Sequence, residues 1–415
     1  MTTAAASATA RPSLFSVLRN RNFALLWSGQ AISQIGDALF SVAMMWLVLQ
    51  LTGSALAMGT TAILGQLPRL AFQLIGGVSA DRYDRRIVMI LSDAIRGIVM
   101  LIFAILVATN QIQMIHIYLM SIIVGIVGAF FIPAMSALIP NVVEKDELVP
   151  ANSLTSLTIQ GSQIFGPALA GVLIAIPAIG IAGVSFLNAA SFGAGVVGLA
   201  LMRLPAHLNG ARKTNGSFWN ELGDGFRYLF RFRALVIIVF LAMVLNFALA
   251  PASVTVPIFA KNILGVGSEG FGTIMSTLAV GMVLGSIAIG MRPPPAHRGI
   301  MVFLLTTLEG VIFVTIGLVP VFIVSCILAF LMGFANGIVN TILGAMMQQL
   351  IADEYRGRVF SLISMIATGI MPISLALAGG LTDVVGVSIV FVAGGVLCMI
   401  ASLFGLTFRD IRELQ

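Results

Sequence analysis

About a dozen runs of apolar residues, each near the length of a membrane-spanning helix, follow one another along this 415-residue chain with little between them. A bilayer core is crossed by roughly 20 apolar residues in helical form, and lipid offers no partner to backbone polar groups. The expected fold class is therefore an all-α membrane protein of twelve transmembrane helices. Composition agrees, with 59% hydrophobic and 9% charged residues against about 25% charged in soluble domains. The first fifteen residues are rich in Ala, Ser and Thr without an apolar core, so a short uncleaved tail is expected rather than a signal peptide. Cys326 and Cys398 lie inside apolar runs and read as packing residues, not as a disulfide or metal pair.

Residues Gly77 to Arg86, GVSADRYDRR, form a polar knot between two runs and are expected to be a very short loop. Cationic loops stay on the cytoplasmic side, so Arg82, Arg85 and Arg86 fix the orientation, whether or not the knot does anything more. With the spans threaded accordingly, only Arg69, Arg96 and Lys261 of the 22 Lys and Arg residues fall outside cytoplasmic segments. The net charge of +6 thus reports topology and not a nucleic-acid partner. Both termini are then cytoplasmic, and the membrane expected is the cytoplasmic (inner) one.

Six spans are expected near 23–51, 55–80, 87–108, 114–139, 153–176 and 179–202, preceded by an interfacial lead-in with Ser13 as its cap. Residues 1–202 make a first bundle, 203–233 a cytoplasmic linker, and 234–415 a second bundle. In the linker, Phe218, Leu222, Phe226 and Leu229 recur at helical spacing against Glu221, Asp224, Arg227 and Arg231. That pattern suits an amphipathic helix on the leaflet, with chance periodicity in an ordinary linker as the alternative. The later spans are expected near 234–260, 270–291, 299–319, 321–350, 359–382 and 386–408. Ser156-Leu157 and Pro167 recur as Ser361-Leu362 and Pro372, and Gly53-Ser54 as Gly267-Ser268, which suggests duplication.

Charged residues inside spans cost about 2.5–3.5 kcal/mol on insertion scales, so each asks for a reason. Asp37 lies near the middle of span one, and Gln30, Gln34, Asp37 and Ser41 share one helix face. Burial disfavours a charged carboxyl, which makes Asp37 a candidate to load and release a proton. Arg69, at similar depth in span two, is its expected partner, either in a switchable pair or in a static salt bridge. Asp93 and Arg96 are three residues apart in span three and are expected to pair and brace the knot. Glu309 is a second intramembrane acid, and Asp383 reads as solvated at the outer end of span eleven. Asn246 and Ser253, Asn336 and Asn340, and Gln160 with Gln163 are further cavity candidates; Met44, Met45, Met346 and Met347 are either adaptable lining or filler. His116, His207 and His297 lack metal-ligand spacing. No nucleophile–base set, phosphate loop or cofactor site is visible, so neither an enzyme nor a cofactor is expected.

The knot resembles the G-x-x-x-D-R-x-G-R-R signature of the major facilitator superfamily. Gly77, Asp81, Arg82, Arg85 and Arg86 fall on it, and Asp84 stands in place of the usual glycine. The stretch GSQIFGPALAG, from Gly161 to Gly171, resembles the glycine–proline motif of the superfamily's antiporters through Gly166-Pro167 and Gly171, with generic helix packing as the alternative. The opening NRNFALLWSGQAISQIGDALF, with SDAIRG and EYRGR, is similar to the macrolide-efflux-like and enterobactin-exporter-like branch. The resemblance implies two six-helix halves rocking about a midplane site, and export of amphipathic small molecules by proton antiport from a monomer. It implies an inside gate in which Asp81 meets the start of span eleven. It also puts span nine at the periphery, where Glu309 would hydrogen-bond to neighbouring helices in protonated form, and it makes Arg69 a departure from an apolar pattern. Siderophore or lipid-like export, proton-coupled uptake, and a non-transporting receptor or scaffold are the alternatives.

Overall fold

The computed structural model describes residues 15–203, 226–291, 297–351, 359, 362–363, 366 and 369–412. Among these residues the chain is all-helical, its helices joined by short turns. Its first half contains α1 (Arg21–Thr52), α2 (Ala55–Arg82), α3 (Arg85–Ala108), α4 (Met114–Val142), α5 (Leu148–Ala175) and α6 (Gly180–Leu201). The second contains α7 (Arg233–Leu249), α8 (Ala252–Ile258), α9 (Ser268–Gly290), α10 (Arg298–Leu318), α11 (Phe322–Leu350), α12 (Met371–Val385) and α13 (Val387–Gly405). Among the described residues ten spans are long and apolar enough to cross a membrane, one of them Leu235–Ile263, which joins α7, α8 and a π turn. The expected twelve rests on two more helices: α2, which carries Arg69, and the shorter α12.

Several boundaries differ from expectation for local reasons. The knot is mostly not a loop: α2 runs through Arg82, and only Tyr83 and Asp84 separate it from α3. Asp84, the residue in the glycine place, is the N-cap of α3, and its carboxylate accepts from the backbone N–H of Arg86 at 2.9 Å. Asn20 is the N-cap of α1, accepting from Asn22 and Phe23; Ser13 lies outside the described residues, as do most of the proposed linker helix (204–225), His207 and Ser361. Of that helix the part 226–231 is described, with Leu229 buried in the core of the second half.

The seventh span breaks where Pro251 removes a backbone donor. The carbonyl of Phe247, four residues earlier, loses its helical partner, and the Ser374 hydroxyl of α12 donates to it instead.

Packing repeats with an offset of six spans. α1 packs on α5 and α6, α3 on α4 and α6, and α2 on α4; correspondingly α7 packs on α13, α10 on α11 and α13, and α9 on α11. The α9–α11 contact is the closest. Gly281 and Gly285 face the carbonyls of Phe330 and Phe334, while Gly333 and Gly337 face those of Leu278 and Met282, with no room for a Cβ at any of the four. Such backbone approach is the use membranes make of small residues.

The two groups of spans meet through α2–α12 and α5–α9. These contacts gather at the end of the bundle opposite the knot. Gly171 of α5 lies on Gly272 of α9 without space for a Cβ on either, and Gly379 of α12 lies on Ala55 and Leu56 of α2. Trp46 stacks on Phe271 with ring centroids 6.0 Å apart. Asp383 is not simply solvated. Its carboxylate accepts from the Ser54 hydroxyl at 2.6 Å and from the N–H groups of Ala55 and Leu56 at 2.8 and 3.0 Å. It therefore caps the start of α2 from the opposite half, where the helix dipole favours a negative charge.

A candidate coupling site

The site forms where α1, α3, α4 and α6 converge. Asp37 is close to the midpoint of α1, and its cationic partner is Arg96, with Nη1 to Oδ2 at 3.8 Å. The expected partner, Arg69, acts on Asp37 only at longer range. The reason is packing: α1 and α2 are consecutive in the chain yet touch little, whereas α1 lies along α6, and α6 along α3. That route brings α3 to Asp37.

Arg96 is held from every side. Its Nη2 donates to Asp93 one turn earlier in α3, and its guanidinium lies between the rings of Phe131 and Phe192, 4.5 and 4.6 Å from their centroids. Cations over aromatic faces in such a desolvated place are favourable. Gln30 Nε2 donates to Asp93 Oδ2 at 3.1 Å, and Asn188 Nδ2 donates to Asp37 Oδ1 at 3.4 Å. Asp93 is fully buried while Asp37 keeps 42% of its side chain accessible. Gly36 of α1 makes room for Asn188 and Ser191, since a Cβ there would strike both.

Asp93 and Arg96 thus belong to this interior network rather than to the knot. Of the α1 stripe, Gln30 and Asp37 join it. Gln34 instead lines a small pocket with Trp27 and Thr158, and Ser41 is exposed, donating to its own helix at Ala38. Asn188, Phe131 and Phe192 are members of this network that the sequence reading missed. An amide inside an apolar run was the available signal for Asn188; nothing distinguished the two phenylalanines.

The other candidates lie elsewhere. Arg85 donates to the Ala137 carbonyl at 3.2 Å, and Arg86 to those of Leu199 and Ala200 at 2.7 and 2.6 Å, so both hold helix ends of the first half. Arg82 is exposed. The Asp81 side chain and residues 352–358 lie outside the described residues, and with them the expected gate contact. Gly166 packs on Ala38, joining α5 to α1, and Gly171 makes the inter-half contact above, while Gly161 meets nothing; Pro167 lies within a continuous α5. Gln160 and Gln163 are exposed on α5, and Ser253 is exposed and bonds locally to Ala250. Met44, Met346 and Met347 are buried filler. Asn246, Asn336, Asn340 and Glu309 line a separate cavity in the second half.

Residues 12–414 match the family described as transmembrane secretion effector. Macrolide efflux protein A of Streptococcus pyogenes is 25% identical over 95% of this chain and 97% of its own. The multidrug efflux pump Tap of Mycolicibacterium fortuitum is 27% identical over 92% and 94%. A solved bacterial homologue of the human lysosomal transporter Spinster superposes with a TM-score of 0.71 at 15% identity, over 95% of this chain and 97% of that one. A bacterial homologue of the iron transporter ferroportin gives 0.67 at 16%, over 94% and 99%. These structures share the fold, and the relatives are transporters, not enzymes. With ten membrane-length helices and a match over nearly its whole length, the chain belongs to the transmembrane secretion effector family of the major facilitator superfamily and is a multi-pass membrane transporter.

Proposed function

We propose that this transporter exports amphipathic, drug- or macrolide-like small molecules across the cytoplasmic membrane in exchange for protons. Residues 1–202 and 234–415 move as two halves, joined by the cytoplasmic segment 203–233, and both termini are cytoplasmic. The protein works as a monomer with no nucleic-acid partner. Export is supported by its relatives, the macrolide and multidrug efflux proteins.

One observation carries the proton coupling: a single guanidinium, Arg96, lies between two carboxyls, Asp37 and Asp93. Arg69 attracts Asp37 only from farther away, so Arg96 is left to balance two carboxylates at close range and one acid gains by holding a proton. Asp93 has the tighter ion pair, the Gln30 bond and no access. Asp37 has the longer ion pair and an open face, so it is the acid that exchanges its proton with water. The far end of the bundle is closed by Asp383 and the glycine contacts, which leaves loading and release to alternate as the halves rock.

The test is transport of a panel of macrolides and cationic dyes into proteoliposomes under an imposed pH gradient, with wild type beside Asp37→Asn. Gradient-driven movement in wild type that is lost in the variant, with an unchanged unfolding temperature, supports the reading. A variant that still moves substrate up the gradient sinks it.

A further inference from the structure

The second half contains a cavity of about 380 Å³ between α7, α10 and α11, within the range of small-molecule sites. Its walls are apolar, among them Leu241, Leu245 and Leu343, and its one acid is Glu309. Glu309 is only 1% exposed, and one of its carboxyl oxygens, Oε1, has no hydrogen-bond partner. The Asn336 side chain lies beside the carboxyl. Asn336 accepts in turn from Asn340 Nδ2 at 2.7 Å, and Asn340 is exposed. A polar file thus leads from the accessible side of α11 to the buried acid. No cation lies within ion-pair distance of Glu309 among the described residues, which contrasts with Asp37 and Asp93.

We infer that this cavity is a ligand subsite, and that Glu309 Oε1 receives the N–H of a protonated alkylamine carried by an amphipathic molecule. The chemistry selects that class. A buried carboxyl offers an anion no partner, and it sits charged in an apolar wall only when a cation arrives. Among the described residues no group of three or more His, Cys, Asp or Glu side chains could hold a metal ion. An alkylammonium satisfies the orphaned oxygen with a charge-assisted hydrogen bond, and its apolar body lies along the leucines. The Asn246 and Asn340 amides supply carbonyl acceptors for any remaining N–H. The inference rests on the chain being a transporter but not on proton coupling at Asp37.

A matched probe pair tests it: the dansyl amide of N,N-dimethylpropane-1,3-diamine and its neutral carbon isostere, the dansyl amide of 4-methylpentylamine. Binding is read by fluorescence to the full chain in nanodiscs, with empty discs subtracted, for wild type, Glu309→Gln and Asp37→Asn. Wild type should prefer the amine by roughly tenfold or more, as expected for a hydrogen bond to a charged group. Glu309→Gln should remove that preference and leave isostere binding unchanged, while Asp37→Asn keeps it. In wild type, the amine but not the isostere should protect Glu309 from labelling by a hydrophobic carbodiimide, read by mass spectrometry; this holds even if the Gln variant folds poorly. Absence of amine preference in wild type, its persistence in Glu309→Gln, or labelling that ignores the amine overturns the inference. Because no gradient is applied, a failure of proton antiport leaves these outcomes untouched.

Discussion

The two halves repeat one packing scheme but treat buried charge in opposite ways. In the first, Arg96 is locked between two aspartates and two aromatic faces, with Gln30 and Asn188 completing the shell. In the second, Glu309 is buried beside the Asn336 amide, with no cation in reach among the described residues and Oε1 unpartnered. A fully partnered network ties helices together and depends on each member, whereas a lone acid contributes little to holding the bundle. Stability and vacancy have been placed in different halves of one architecture.

Arg96→Leu should break this contrast most severely. Removing one partner of a buried ion pair costs about 3–5 kcal/mol, here with two acids left stranded, so thermal unfolding in detergent should drop sharply. The double variant Arg96→Leu with Asp93→Leu should recover part of the loss. Glu309→Leu should be neutral or slightly stabilising, since nothing is stranded. Equal losses at the two sites would erase the distinction between the halves.

Gly171→Leu tests how the halves meet. Its side chain has no space against Gly272, so the far end should be held apart, with longer distances between spin labels on α5 and α9 and no turnover. Asp383→Ala is a smaller change at the same seam. It removes an exposed cap across the halves, typically worth about 0.5–2 kcal/mol and at the low end when solvated. The closed population of the same label pair should fall by a factor of roughly 2 to 5.

The bundle was legible because lipid leaves an apolar chain no other way to satisfy its backbone. Asp37 was legible for a related reason: a charge inside a span is expensive wherever it points. Its partner was not. Arg69 is nearer in the chain, but the α1–α6–α3 packing that delivers Arg96 depends on glycines such as Gly36, whose meaning appears only against Asn188. The Asp84 cap hid behind a motif in which that place is a glycine. Asp383 looked like surface because its partners are backbone N–H groups 327 and more residues away. Glu309 was singled out, but the cavity beside it needed three helices to be assembled.

The glycine contacts between α9 and α11 also bear on how such a protein diversifies. Gly281, Gly285, Gly333 and Gly337 each face an opposing carbonyl, so almost any replacement at these positions forces two backbones apart. Selection for a new cargo would find this seam closed to tinkering. Variation among descendants should instead collect on the α7 wall and at Asn340, where side chains border open volume and a substitution alters what fits without dismantling the helix pair behind it.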